Sequence, residues 1–150
     1  MKTWMRFAIV TALIAGAMVG IATTSSATSF PAFIGQPQAP GDYTCFVNSG
    51  GAVFNLCGVT KRFCAALLVS SSDHNVEINV LAPDIDHNVA CFAQAVTRDH
   101  LSAGITGFLS PGVFGSSQML HFPTLSVPAA GGLYACCDIA PSASIQSFNY

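Results

Sequence analysis

The sequence predicts an all-β fold, an antiparallel β-sandwich or jelly-roll-like domain that is disulfide-stapled. Three observations predict it. Short apolar or alternating runs recur with turn residues between them, hardly any stretch carries a helical period, and the six cysteines all lie from Cys45 onward.

In chain order, Lys2 and Arg6 precede an uncharged apolar run from Phe7 to Ile21, and small and hydroxyl residues follow. That is the layout of a secretory signal peptide. A membrane-crossing helix needs about 20 apolar residues, more than this run supplies. Small residues at Ser25 and Ala27 place the expected cleavage after Ala27, so residues 1 to 27 are the leader and no stable membrane span is expected after cleavage. Residues 28 to 42, TSFPAFIGQPQAPGD, hold three prolines and two glycines without a usable period, and read as a flexible lead-in. The domain proper is expected from 43 to 150.

Within it the runs are YTCFV (43 to 47), AVFNLCGV (52 to 59), RFCAALLVS (62 to 70), VEINVLA (76 to 82), VACFAQAV (89 to 96), a weak ITGFL (105 to 109), SQMLHF (117 to 122), LYACCDI (133 to 139) and SIQSF (144 to 148). Gly50-Gly51, Ser70 to Asp73, Pro83-Asp84, Ser110-Pro111-Gly112 and Ala130-Gly131-Gly132 punctuate them. Val76, Ile78 and Val80 alternate with Glu77 and Asn79, as in a strand with one buried face. The turn formers of residues 83 to 88 then predict an antiparallel hairpin that pairs Val76 with Ala93, Ile78 with Cys91 and Val80 with Val89.

Asp-His-Asn-Val occurs at 73 to 76 and again at 86 to 89, and two acid–imidazole pairs invite a metal reading. In the expected hairpin, however, His74 lies ~25 Å from the turn at roughly 3.3 Å per residue, whereas zinc ligands lie only about 2 Å from their ion. The copies therefore read as two strand entrances with one turn chemistry. Asp84, Asp86 and Asn88 match the first ligand positions of a calcium loop, but the required Gly is missing and Ala95 stands where the bidentate Glu belongs; an Asx-type turn is expected instead. The hairpin register would also gather Asp73, His74, Asp99 and His100 at one sheet end, either as a divalent site or as ordinary loop-end residues. No metal and no cofactor is expected.

Beyond the leader, Lys61, Arg62 and Arg98 face seven acids. A phosphate-backbone binder needs clustered Lys and Arg, so no nucleic acid is expected as a partner. No G-x-S-x-G elbow occurs, no cysteine has a protease-like context, and the single glutamate, Glu77, alternates outward from a strand. Catalytic residues: none. His121 and Phe92 are tempting as parts of a ligand groove; the readings favoured are an outward imidazole and an aromatic packed on the sheet.

An even number of cysteines in an oxidising compartment favours disulfides, and no C-x-x-C occurs. In LYACCDI, Leu133, Ala135, Cys137 and Ile139 share one strand face and Cys136 takes the other. With Cys91 inward by the hairpin register, one bridge from Cys91 to Cys137 across the core satisfies both patterns. A bridge between the adjacent Cys136 and Cys137 would be strained.

Cys45, Cys64-Ala-Ala-Leu-Leu, the V-x-V of Val76 to Val80 with Asp84, Val89-Ala-Cys91, Tyr134-Ala-Cys-Cys137-Asp-Ile139-Ala-Pro141, and Ile145 with Phe148 carry a resemblance. With these features the chain resembles a group of small exported bacterial β-sandwich proteins of uncharacterised function. The resemblance implies that Cys45 pairs with Cys64 and Cys91 with Cys137, leaving Cys57 and Cys136 to each other. The chain departs from the group's pattern in lacking a Pro after Cys64 and in having Cys57 and Cys136. The resemblance brings no catalytic residues.

The sequence therefore reads as an exported, non-catalytic envelope or extracellular structural or binding module, in the periplasm or outside the cell, with an unidentified envelope or extracellular partner. One alternative is a surface filament or adhesin subunit, although the apolar run lacks the early Glu of one pilin class, and Cys137 stands where another class has Gly. The other is a small secreted hydrolase or inhibitor with a polar pocket joining His74, Asp99 and His100.

Overall fold

The computed structural model describes residues 28–150; the leader and its cleavage point lie outside the described residues. Thirteen strands follow one another: β1 (Ser29–Pro31), β2 (Gln36–Pro37), β3 (Phe46–Ser49), β4 (Ala52–Asn55), β5 (Lys61–Leu67), β6 (Asp73–His74), β7 (Glu77–Leu81), β8 (Val89–Val96), β9 (Ser102–Ile105), β10 (Ser117–His121), β11 (Leu125–Ser126), β12 (Gly132–Ile139) and β13 (Ser144–Asn149). Two short 3-10 helices, Ala32–Ile34 and Pro40–Cys45, flank β2. Among the described residues no helix is long and apolar enough to cross a membrane.

The strands form an antiparallel β-sandwich. One sheet runs β10-β7-β13-β4-β3 with β1 also on β13, the other runs β2-β5-β12-β8-β9, and β6 with β11 makes a two-stranded ribbon. Alternation decides the faces. Ile78, Val80, Val53, Ile145 and Phe148 from the first sheet meet Phe63, Ala65, Val89, Cys91, Ala93, Leu133, Ala135, Cys137 and Ile139 from the second in one buried core. Ile145 and Phe148 are three apart and would point to opposite faces of a regular strand. A register shift between Ile145 and Ser147 inserts Gln146 as an extra residue and turns both side chains inward.

The segment expected as a flexible lead-in is instead part of the sandwich. One edge of β13 pairs with β7; the other pairs with β4 only at Ser144 and Ile145. β1 takes up the remainder at Ser147–Asn149, which satisfies backbone groups that the departing β4 leaves open. Ala32 is then fully buried. Farther on, β2 lies on Phe63 and Cys64 at the edge of the second sheet, a position that tolerates Pro37. The approach at Gly35 is close: a Cβ there would sit 2.6 Å from the Cys64 carbonyl oxygen.

The expected hairpin between residues 76–80 and 89–93 does not form. β7 pairs with β10 and β13, β8 pairs with β12 and β9, and residues 82–88 cross from one sheet to the other. Ala82 and Val89 are both fully buried, so the connection closes over the end of the core. Alternation states which face of a strand is buried and is silent about its neighbours; here both strands are interior and take partners distant in sequence.

The three disulfides are Cys45–Cys57, Cys64–Cys136 and Cys91–Cys137. The Cys45–Cys64 and Cys57–Cys136 pairings implied by the resemblance are thus replaced. Cys45 and Cys57 flank the β3–β4 hairpin, whose two-residue loop has Gly50 and Gly51 at φ 60° and 91°, the backbone that tight hairpins require. In β12, Cys136 lies opposite Cys64 on β5 while Cys137 lies opposite Cys91 on β8. Consecutive residues of an interior antiparallel strand alternate both in face and in the neighbour they hydrogen-bond. Adjacent cysteines therefore meet opposite neighbours in narrow, non-hydrogen-bonded pairs, with Cα separations of 4.1 and 4.0 Å. The Cys91 backbone accordingly bonds Leu109, away from β12. The Cys91–Cys137 bridge joins neighbours within one sheet and does not span the core.

Candidate functional site

The histidines and acids singled out in the sequence are dispersed. The hairpin register that was to gather Asp73, His74, Asp99 and His100 does not exist; β6 pairs with β11, and His74 Nε2 lies 2.8 Å from the Ser70 carbonyl oxygen and 2.9 Å from Ser72 Oγ, with its ring meeting Tyr150 edge-on. Among the described residues no group of three His, Cys, Asp or Glu side chains stands close enough to hold a metal ion.

The two repeat copies differ. In the second, Asp84 Oδ1 accepts the backbone N–H groups of Asp86 and His87 at 3.0 and 2.8 Å, and the His87 imidazole Nδ1 lies 2.8 Å away. This is the expected Asx-type turn, and the donors from His87 hold the Asp84 carboxyl below its ordinary pKa. In the first, Asp73 and His74 are strand residues. His121 projects from the first sheet with Nδ1 2.9 Å from Glu77 Oε1, the outward imidazole that its strand position predicts.

Phe92 belongs to a different arrangement, on the outer face of the second sheet. Inward positions of β5, β8 and β12 fill the core, so Arg62, Cys64 and Ala66 of β5, Phe92 and Gln94 of β8, and Tyr134, Cys136 and Asp138 of β12 share the opposite face. The registers set three rows: Arg62–Asp138–Ala90, Cys64–Cys136–Phe92 and Ala66–Tyr134–Gln94.

In the first row Arg62 Nε and a terminal guanidinium nitrogen donate to the two Asp138 carboxylate oxygens at 2.6 and 2.7 Å. These hydrogen bonds raise the Arg62 pKa above its ordinary value, against partial burial and with help from the carboxylate charge. Exposed at 34% and 29%, the pair contributes up to about 1 kcal/mol of stability, so its consequence is mainly a fixed orientation. The guanidinium carbon stands 5.4 Å from the Phe92 ring centre and 5.9 Å from that of Phe108. The two rings are 4.9 Å apart and tilted by 57°. Phe92 is covered, whereas Phe108 is 54% exposed.

Toward the other end of the face, Gly35 and Gln36 of the edge segment form a cleft of about 270 Å³ with Ile34, Cys64, Ala66 and Tyr134. From the Arg62 row to the Tyr134 row the strip measures ~13 Å at roughly 3.3 Å per residue. Exposed ring surface thus flanks a fixed set of donors and acceptors, the combination that ligand sites use for orientation and contact area. In the sequence, Arg62 and Asp138 carry no site signal beyond being oppositely charged residues within a charge-poor chain.

No family model matches the chain, and no curated protein matches it in sequence. Among solved structures, the C-terminal CBM6 of LamC, a marine laminarinase from Zobellia galactanivorans, superposes with a TM-score of 0.52 at 12% identity, over 83% of this chain and 98% of that one. An isomalto-dextranase from Arthrobacter globiformis T6 gives 0.49 at 14% identity, over 82% of this chain and 23% of that one. A family 35 carbohydrate binding module from Clostridium thermocellum gives 0.47 at 11% identity, over 83% and 97%. At such identity the first of these likenesses speaks to the fold, a β-sandwich.

Proposed function

We propose that this chain is an exported, non-catalytic module, periplasmic or extracellular, which binds glycan on the outer face of the β2-β5-β12-β8-β9 sheet. One observation carries the reading: the Arg62–Asp138 fork lies over Phe92 and Phe108, and the Tyr134 cleft continues the same face. Sugars present hydroxyl groups at their edges and patches of C–H on their faces, so a binder needs both fixed hydrogen-bonding groups and exposed ring surface. This face has both. Three disulfides fit an oxidising compartment, and the CBM6 of the laminarinase has the same architecture.

The test is affinity electrophoresis of the disulfide-intact protein through gels that contain soluble polysaccharides. Migration should be retarded by at least one of them. Phe108→Ala and Arg62→Ala should each weaken retention about tenfold, the cost of losing one ring contact or one charge-assisted hydrogen bond in a small site. Retention by no polysaccharide, or unchanged retention in both variants, would refute the reading.

A filament or adhesin subunit has one feature in its favour. Leu56, Val59, Ile85 and Val113, all more than half exposed, lie on the loops at one end of the sandwich. That reading requires concentration-dependent association in light scattering.

A further inference from the structure

The glycan face also has a charge rule. Resting on the reading above, we infer that its ligand is an uncharged glycan, and that Asp138 is the specificity-determining residue because it occupies the Arg62 fork that an acidic sugar would need.

A guanidinium has five N–H donors and a carboxylate about four acceptor sites. Two of each are used within the Arg62–Asp138 pair. The remaining donors and acceptors lie side by side, and neighbouring sugar hydroxyls can both donate to and accept from such a group. A uronate or other anionic sugar requires something else, an open fork for its two oxygens. Asp138 already fills that position, and a second carboxylate arriving there would meet a like charge.

Nearby cations do not compensate. Lys61 Nζ is held at 2.6 Å by Asp42. Arg98 follows the far end of β8, eight residues beyond the Ala90 position of the Arg62 row. Local charge is therefore balanced pair by pair, while the residues from 28 onward carry more acids than bases. An anionic chain would lose hydration and gain no free cation.

The experiment compares retention of the full disulfide-intact chain by neutral polysaccharides (a β-glucan, a mannan, a xylan) and by polyuronates (polygalacturonate, alginate) at one ionic strength. The wild type should be retained by a neutral polymer and bind polyuronates at least about tenfold more weakly. Asp138→Asn, which releases the fork and removes the like charge, should narrow or reverse that ratio by about tenfold. Asp138 lies on the sheet surface, and thermal unfolding of the variant checks that the fold persists. Equal or stronger wild-type retention by polyuronates would overturn the inference while leaving glycan binding standing, and this arm needs no variant. An unchanged ratio in Asp138→Asn would overturn the role of Asp138. Retention by neither class would overturn both the inference and the reading beneath it.

Discussion

Asn55 is fully buried, and every hydrogen-bonding atom of its amide is engaged. Its Nδ2 donates to the Ile139 and Val59 carbonyl oxygens at 2.7 and 2.9 Å, and its Oδ1 accepts the Cys57 N–H at 2.9 Å. One side chain thereby ties the loop before β5 to the end of β12. Asn55→Ala would leave these partners unpaired beneath the loop, and should cost about 1–3 kcal/mol as a shift in the urea midpoint. A loss below roughly 0.5 kcal/mol, the scale of an ordinary surface change, would contradict this role. Asp84 works by the same principle at the surface. Its folded-state pKa is lowered by the donors from His87, so the turn gains its stabilisation above the unfolded pKa and loses it as pH falls through the folded value. The Asp86 and His87 amide resonances should therefore titrate with a midpoint below the ordinary Asp value. A midpoint at or above it would show that the Asx bonds do not favour the ionised form.

Among the elements, β12 has the largest share of the covalent framework. Through Cys136 it is joined to β5 on the outer face and through Cys137 to β8 on the inner face, so three neighbouring strands cannot slip in register. The sequence separations are 12 for Cys45–Cys57, 46 for Cys91–Cys137 and 72 for Cys64–Cys136. Closure entropy grows with loop length. Replacing each pair by Ala, one pair at a time, should cost about 3 kcal/mol for the hairpin bridge and about 4 kcal/mol for each of the other two. Denaturant titration of the three double variants tests that order; a Cys45–Cys57 deletion that is the most damaging would refute it. The hairpin bridge was within reach of the sequence, since Gly50-Gly51 between two apolar runs is a two-residue turn signal that places Cys45 close to Cys57. The crossing at residues 82–88 was not, because its Pro, Asp and Asn serve a hairpin turn and an inter-sheet connection equally well.

At the scale of the whole molecule, few charges and many buried strands give a sandwich held by apolar contact and crosslinks, with its sparse ion pairs at the surface. What the sequence determined by itself was the β-sandwich class and the inward face of strand after strand: Ile78 and Val80, or Leu133, Ala135, Cys137 and Ile139, all buried, with Cys136 opposite. Those features follow from a side-chain period of two, which is local and legible in a handful of residues. Tertiary structure alone decided that β7 and β8 part company, that residues 29–37 close two sheet edges, that Cys64 meets Cys136, and that Arg62, Phe92, Phe108 and Asp138 converge. Backbone hydrogen bonds take the same form whichever strands share them. The choice of neighbour is therefore settled by burying all the apolar faces together, a condition on the whole chain that no single segment records.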